Sequence, residues 1–306
     1  LGYSRLEFLP SFAPFSIIFC SILLLCACGD AADRDDAAVI TGPTMGTSYA
    51  VKLYDGDTDA DVLEAQIDAL LERINDQMST WRPASELSQF NESRDSGWFS
   101  VSTELAYVVV AAVKISALSG GAFDVTVGPL VNLWGFGPEP SDARPPSRQQ
   151  IETIMERVGY RQLAVRASPP ALSKKHPDIT VDLSAIAKGF AVDEVARLLD
   201  ARRIPSYLVE IGGELRARGL KPDGTPWKVA IERPLPGERS VQSVVALRDR
   251  SIATSGDYRN YVEKGGKRYS HTIDPHTGRP IVHGLASVSV ITASAMRADA
   301  LATAIM

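Results

Sequence analysis

Between Ser206 and Ile291 the chain carries short, closely spaced strand patterns, whereas most of what precedes them is helical in period. Ser206 to Ile211 and Glu214 to Arg218 flank Gly212-Gly213; Trp227 to Glu232, Val241 to Leu247, Ser251 to Thr254 and Ala286 to Ile291 follow. Strands that meander at this spacing, combined with helices, argue an α+β domain with an antiparallel sheet. No stretch reads G-x-G-x-x-G after a strand. Gly135-Phe136-Gly137 runs into Pro138, so a dinucleotide would not be held in a Rossmann crevice.

The helical part is also legible. Leu63, Ile67, Leu70, Leu71, Ile74 and Met78 recur on one face of a helix from Asp61 to Met78, with Met78 expected in the core. Ser102 is placed to cap an apolar helix from Thr103 to Leu118, closed by Gly120-Gly121. Ser147 and Gln150 form a capping box for a helix from Arg148 to Val158. Two further helices are expected over Lys188–Leu199 and Ser294–Met306. Ala38–Gly42 and Ser48–Tyr54 alternate as strands around Pro43-Thr44-Met45-Gly46, and Ile179–Val181 reads as a short strand. Residues 85–96 read as loop, with a single helical turn as the alternative, and residues 121–146 show no period; loops of that length are often functional.

The 306 residues suffice for a sizeable core. A net charge of −5 leaves no basic footprint, which argues against nucleic acid as a partner. Cys20, Cys26 and Cys28 all lie near the start, so the rest of the chain holds no disulfide framework and no thiolate metal site. Phe12 to Ala27 is almost wholly apolar, with Arg5 ahead of it and a small, acidic stretch behind it. That is a secretory signal pattern, with an uncleaved membrane anchor as the alternative. Leu25-Cys26-Ala27-Cys28 resembles a bacterial lipobox. We expect residues 1–28 to be a signal peptide with a lipobox, 29–38 a flexible tether, and 39–306 the folded domain, periplasm-facing and membrane-anchored through a lipid on Cys28. Met306 falls inside an apolar helical pattern without a stop signal, so the domain is expected to be truncated there.

Three stretches concentrate chemistry. Tyr269 to Pro280 packs His271, Asp274, His276 and Arg279 around a tight turn, which is either an exposed polar hairpin or a functional loop. Asp299 and Thr303 sit one turn apart on one helix face, where a carboxylate beside a hydroxyl suits a hard cation such as Mg²⁺; the alternative is a solvated face. Asp182 and Lys188 bracket a small-residue turn before a helix, where a phosphate can approach the backbone and a lysine can offset its charge. A helix cap and an exposed lysine are the alternatives. His271 with His276 as a transition-metal pair finds no third His or Cys nearby. His176 reads as solvated, and His276 and His283 as turn residues without clear partners.

These stretches, with Thr44-Met45-Gly46-Thr47, Gly121-Ala122-Phe123-Asp124 and Gly128-Pro129-Leu130, resemble the ApbE family in order from about Thr41 to the last residue. The resemblance implies an ApbE-like (T-fold-like) α+β domain with an antiparallel sheet and packed helices. It implies FAD contacts at Met45, Ala122, Phe123, Asp124, Asp182, Lys188 and Ile273, and an aromatic against the cofactor at Trp81, although an aromatic that closes a helix is more often core. It implies Mg²⁺ ligands at Asp299, Thr303 and the carbonyl of Ala185, and a catalytic His271, as base or as orienter.

The expected activity is therefore Mg²⁺-dependent transfer of FMN from FAD to a Thr hydroxyl of a target flavoprotein, with release of AMP. The expected acceptors are flavoprotein subunits of membrane redox complexes. A pyrophosphatase that hydrolyses FAD to FMN and AMP would share the site, and a non-catalytic FAD-binding lipoprotein is the further rival.

Overall fold

In the computed structural model, residues 37–55, 58–138, 144–235, 240–257 and 261–306 are described. The expected signal peptide, lipobox and most of the tether lie outside them. Ala38, the last expected tether residue, already opens the first strand.

The elements run β1 (Ala38–Thr44), β2 (Thr47–Tyr54), α1 (Ala60–Met78), α2 (Glu86–Glu92), β3 (Phe99–Ser100), α3 (Thr103–Leu118), α4 (Gly128–Trp134) and α5 (Arg148–Met155). Then come β4 (Leu163–Ala167), β5 (Pro170–Lys174), α6 (Ala187–Ala201), β6 (Ser206–Ile211), β7 (Glu214–Arg218), β8 (Trp227–Glu232), β9 (Val241–Leu247) and β10 (Arg250–Gly256). The chain closes with β11 (Tyr261–Lys264), β12 (Lys267–Ser270), β13 (Ile273–Asp274), β14 (Arg279–Pro280), β15 (Ser287–Thr292) and α7 (Ala295–Ile305).

A six-stranded sheet of order β1-β2-β6-β7-β10-β15 forms the centre, and every pairing in it is antiparallel. The period-2 pattern sorts its two faces. Tyr49, Val51 and Leu53 with Tyr207, Val209 and Ile211 point into the main core, against α1, α3, α6 and α7. Leu208, Leu215, Ala217 and Ile252 point the other way and are covered by Trp227, Val229 and Leu247 of the β8–β9 ribbon. A small antiparallel sheet, β3-β5-β4, lies beside α3.

Most elements fall where periodicity places them. Asp59 caps α1 and Ser102 caps α3, and the capping box at Ser147 and Gln150 is complete. Met78 is buried, as expected. Four segments differ. Residues 85–96 contain α2, started by Ser85, whose hydroxyl accepts the Ser88 N–H at 3.0 Å. The aperiodic stretch 121–146 contains α4, too short to show a period, with a proline in its first turn and Gly135 in the left-handed region at its end. The helix after Ser147 stops at Met155. Ile179–Val181, expected as a strand, pairs with none among the described residues. The Asn91 amide takes a partner strand's place, accepting from Val181 N–H at 2.7 Å and donating to its carbonyl at 2.9 Å.

Candidate active-site cleft

The twelve candidate site residues all line one cleft of about 1140 Å³. They reach it from six places: the β1–β2 turn, the end of α1, the loop before α4, the turn leading into the start of α6 together with its first residues, the β12–β13 stretch and α7. A second cavity of about 940 Å³, bordered by Arg94, Arg144 and Arg157, takes Asn132 from α4, while Val131 faces the cleft.

Met45 sits with Gly46 in a two-residue hairpin turn, because Thr44 pairs with Thr47. Such a turn needs positive φ at both positions, and Met45 adopts φ 49°. That conformation costs a non-glycine residue on the order of 1 kcal/mol. Trp81 is 68 % exposed on the cleft rim, so it serves no core. Ala122 is exposed in the cleft wall, and Phe123 is buried behind it. Asp124 is buried and turned to its own loop: Oδ1 accepts from the Thr126 N–H and hydroxyl at 2.8 and 2.6 Å, and Oδ2 from the Tyr160 N–H at 2.7 Å. Its carboxylate therefore shapes the cleft wall.

The turn before α6 is anchored by the Asp182 N–H, which donates to the Val125 carbonyl at 2.7 Å. Asp182 is not the helix cap. Its carboxylate accepts the Ser184 N–H at 2.8 Å, while Ile186 holds the cap position without a side-chain bond. Ala185 is half-buried on the cleft wall. Lys188, in the first turn of α6, is ion-paired with Glu214 at 2.7 Å. Asp299 is 3 % exposed, and its Oδ2 accepts the Gly189 N–H at 3.0 Å. Burial lifts the pKa of Asp299, against the Lys188 charge and the Gly189 N–H. Burial likewise pushes Glu214 up to about 8, with the Asp299 charge adding to it and Lys188 opposing. For Lys188 burial works against the charge, but Asp299, Glu214 and Glu210 together raise its pKa. Thr303 places its hydroxyl 3.1 Å from that of Ser255.

His271 borders the cleft in edge-on contact with Phe136, their ring centroids 6.3 Å apart. Ile273 is buried beside it. The turn that follows is built on Asp274, which accepts from His276 N–H at 2.9 Å and from the Thr277 hydroxyl at 2.8 Å. Burial opposes ionisation of Asp274, but these donors and the His276 ring hold its carboxyl below the ordinary range. His276 has partners after all: its ring lies 3.2 Å from Asp274 and 3.2 Å from the Gly120 carbonyl, tying this turn to the loop that carries Ala122. His283 also has one, the Met306 carbonyl. His176 lies half-exposed beside Asp178, 3.9 Å away.

The ApbE family model matches residues 45–306. The chain belongs to the ApbE family. Its ApbE relatives include a Vibrio cholerae protein named FAD:protein FMN transferase, 48 % identical over 292 residues, which cover 95 % of this chain and 86 % of the relative. The Escherichia coli K12 protein of the same name is 42 % identical over 275 residues, 89 % of this chain and 78 % of the relative. Among solved structures, the flavin transferase ApbE from Vibrio cholerae superposes with a TM-score of 0.81, covering 88 % of this chain and 86 % of that one at 48 % identity. The apo flavinyl transferase ApbE of Pseudomonas stutzeri gives 0.80 at 42 % identity, over 88 % and 84 % of the two chains. The α+β class and the ApbE fold expected from the sequence are thus met.

Three residues of this ApbE cleft and its supports escape sequence reading. Glu214 looks like any polar residue opening a strand, Ser255 like any strand serine, and Asp193 like a solvated helix position. The signal that could have found Glu214 is its place directly after the Gly212-Gly213 turn.

Proposed function

We propose that this chain transfers FMN from FAD to a hydroxyl of a target protein and releases AMP. The observation that carries the proposal is the convergence of all twelve candidate residues on one cleft, in a chain whose relatives bear the name FAD:protein FMN transferase. A Thr hydroxyl of the acceptor attacks the FMN phosphorus, the bond from that phosphorus to the AMP phosphate oxygen breaks, and AMP leaves. His271 takes the hydroxyl proton; an imidazole is suited to that near neutral pH. Met45, Trp81, Ala122, Phe123 and Ile273 wall in the flavin dinucleotide, Asp124 shapes that wall, and Asp182 and Lys188 address its polar part.

The donor set also suits Mg²⁺. Asp299, the Thr303 hydroxyl and the Ala185 carbonyl are oxygen donors only, which is what a hard cation takes. Two buried carboxyl groups, Asp299 and Glu214, face one ammonium, Lys188; burial favours their protonated forms, and an added cation would favour ionised Asp299. Among the described residues no cluster of three or more His, Cys, Asp or Glu side chains is placed to hold a metal. A cation here would therefore draw on hydroxyl and carbonyl oxygens. Bound there, Mg²⁺ would offset negative charge on the phosphoryl oxygens.

The test incubates the protein with FAD, an acceptor domain from a flavin-carrying redox subunit, and Mg²⁺ or EDTA. It reads the intact mass of the acceptor and the AMP formed. An FMN-sized mass gain with matching AMP, lost in EDTA and in Asp299→Ala, supports the whole reading. AMP without a mass gain would point to FAD hydrolysis, and full activity in Asp299→Ala would sink the metal assignment.

We further propose that the chain is an exported, membrane-anchored lipoprotein acting on subunits of membrane redox complexes. The apolar leader and Leu25-Cys26-Ala27-Cys28 support this; among the described residues no helix is long and apolar enough to cross a membrane. Cys28→Ser should release the protein from membranes, and continued attachment would argue against the lipid anchor.

A further inference from the structure

We propose that the β6–β7 hairpin is a seat for Lys188, in which Glu214 takes the ammonium and the missing side chain of Gly212 makes room for the stem. Glu214 is then a positioning residue for recognition of a phosphate-bearing ligand. The inference rests on the reading of this cleft as an FAD site.

Lys188 stands at an awkward place. It occupies the first turn of α6, where the helix dipole disfavours a cation. It contributes nothing to capping, so a cation there needs another partner. Glu214 supplies one at 2.7 Å from a position 3 % exposed. The register pairing Ile211 with Glu214 puts that carboxylate at the first position after the turn.

The turn itself is shaped to the lysine. Gly212 and Gly213 have φ of 56° and 101°, as a two-residue hairpin turn requires. A Cβ on Gly212 would lie 2.8 Å from Thr47 Cγ2 and 3.2 Å from Lys188 Cδ, so a side chain there would clash with Thr47 and press on the lysine stem. The hairpin tip is tied down on both sides. Gly212 N–H donates to the Ser48 carbonyl at 3.1 Å, and Gly213 N–H donates to Glu210 at 2.6 Å.

A free lysine has about 2 kcal/mol of rotamer entropy to lose on gripping a phosphate. Here the fold has already fixed the stem and the ammonium, and preorganisation of this kind appears as affinity. The second oxygen of Glu214, Oε2, is buried without a hydrogen-bond partner. Among the described residues, the contact that places the Glu214 side chain is therefore Oε1 against the Lys188 ammonium, and not a saturated hydrogen-bond network.

The test measures dissociation constants for FAD and for riboflavin, which lacks the pyrophosphate, in the full chain with Mg²⁺. The proteins are the wild type, Glu214→Gln, Lys188→Met and the double variant. Glu214→Gln should weaken FAD about tenfold, the low end for breaking a close charged pair, and leave riboflavin within about twofold. The double variant should bind FAD no more weakly than Lys188→Met alone, because both changes act on one contact. Unchanged riboflavin affinity doubles as the folding check. If Glu214→Gln does not fold, Glu214→Asp, which withdraws the charge by one methylene, should show the same selective loss. Unchanged FAD affinity in these variants would overturn the inference, as would an equal further loss on top of Lys188→Met. A wild-type protein that holds riboflavin as tightly as FAD would instead overturn the FAD-site reading, and this inference with it.

Discussion

Asp193 on α6 and Asp299 on α7 each hold the start of the other's helix. Asp193 accepts from the Ala295 and Met296 N–H groups at 2.9 and 3.1 Å and from the Ser294 hydroxyl at 2.7 Å. Asp299 accepts from the Gly189 N–H on α6 at 3.0 Å. Free N–H groups at a helix start need an acceptor, and each helix supplies the other's. The exchange fixes α7 against α6, and so sets Asp299 and Thr303 beside the turn that carries Ala185 and Lys188.

Removing the structural half of this exchange should damage the site from a distance. Asp193→Ala is expected to lose about 2 kcal/mol, the upper range for a lost cap with several donors left unpaired. Chemical denaturation would measure it. The affinity of the proposed Mg²⁺ site should fall as well, although Asp193 is not among its proposed ligands. A variant of wild-type stability would show that the capping contributes nothing.

The two helices approach closely because position 189 has no side chain. A Cβ there would stand 2.3 Å from the Ala295 carbonyl oxygen and 2.7 Å from Met296 Cα, both backbone atoms that cannot rotate away. Gly189→Ala should therefore separate α7 from α6 and destabilise the domain by about 3 kcal/mol or more. Thermal unfolding would read this as a large drop in Tm. An unchanged Tm would mean that the helices can part without loss.

Asn91 does the work of a missing strand for the segment that delivers Asp182. Asn91→Ala leaves the Val181 N–H and carbonyl unpaired and should lose about 1–3 kcal/mol. Hydrogen exchange at Val181 should quicken by at least tenfold, and FAD affinity should fall with it. Unchanged exchange would show that the segment holds itself.

Beneath the same segment lies Lys174, 1 % exposed, with its ammonium donating to the carbonyls of Phe90, Asn91 and Ile179 at 3.1, 2.9 and 3.1 Å. Burial pushes its pKa down to about 8, with Arg94 adding and Asp178 opposing. Between about 8 and the ordinary 10.5 the unfolded chain binds the extra proton, so stability should rise with pH across that window. Lys174→Met should abolish that rise and lose about 2 kcal/mol at neutral pH through unpaired carbonyls. Denaturation midpoints from pH 7 to 10.5 would test both; a rise that survives the substitution must come from another group.

Local sequence determined much of this protein. The strands Ser206–Ile211, Glu214–Arg218, Trp227–Glu232 and Val241–Leu247 and the helix Thr103–Leu118 stand at their expected bounds, because apolar period and capping residues act over a few positions. The ordered motifs marked the family and the twelve residues of one cleft. Only the tertiary structure decided what those residues do to one another. That Asp124 is turned into its own loop, that Trp81 lies open to solvent, that His276 ties two loops together and that Glu214 faces Lys188 all depend on contacts between segments far apart in the chain. Such pairings leave no period and no spacing in the sequence. They arise when the sheet register and the close approach of α6 and α7 bring charges and donors within bonding distance, and burial then makes each partner necessary.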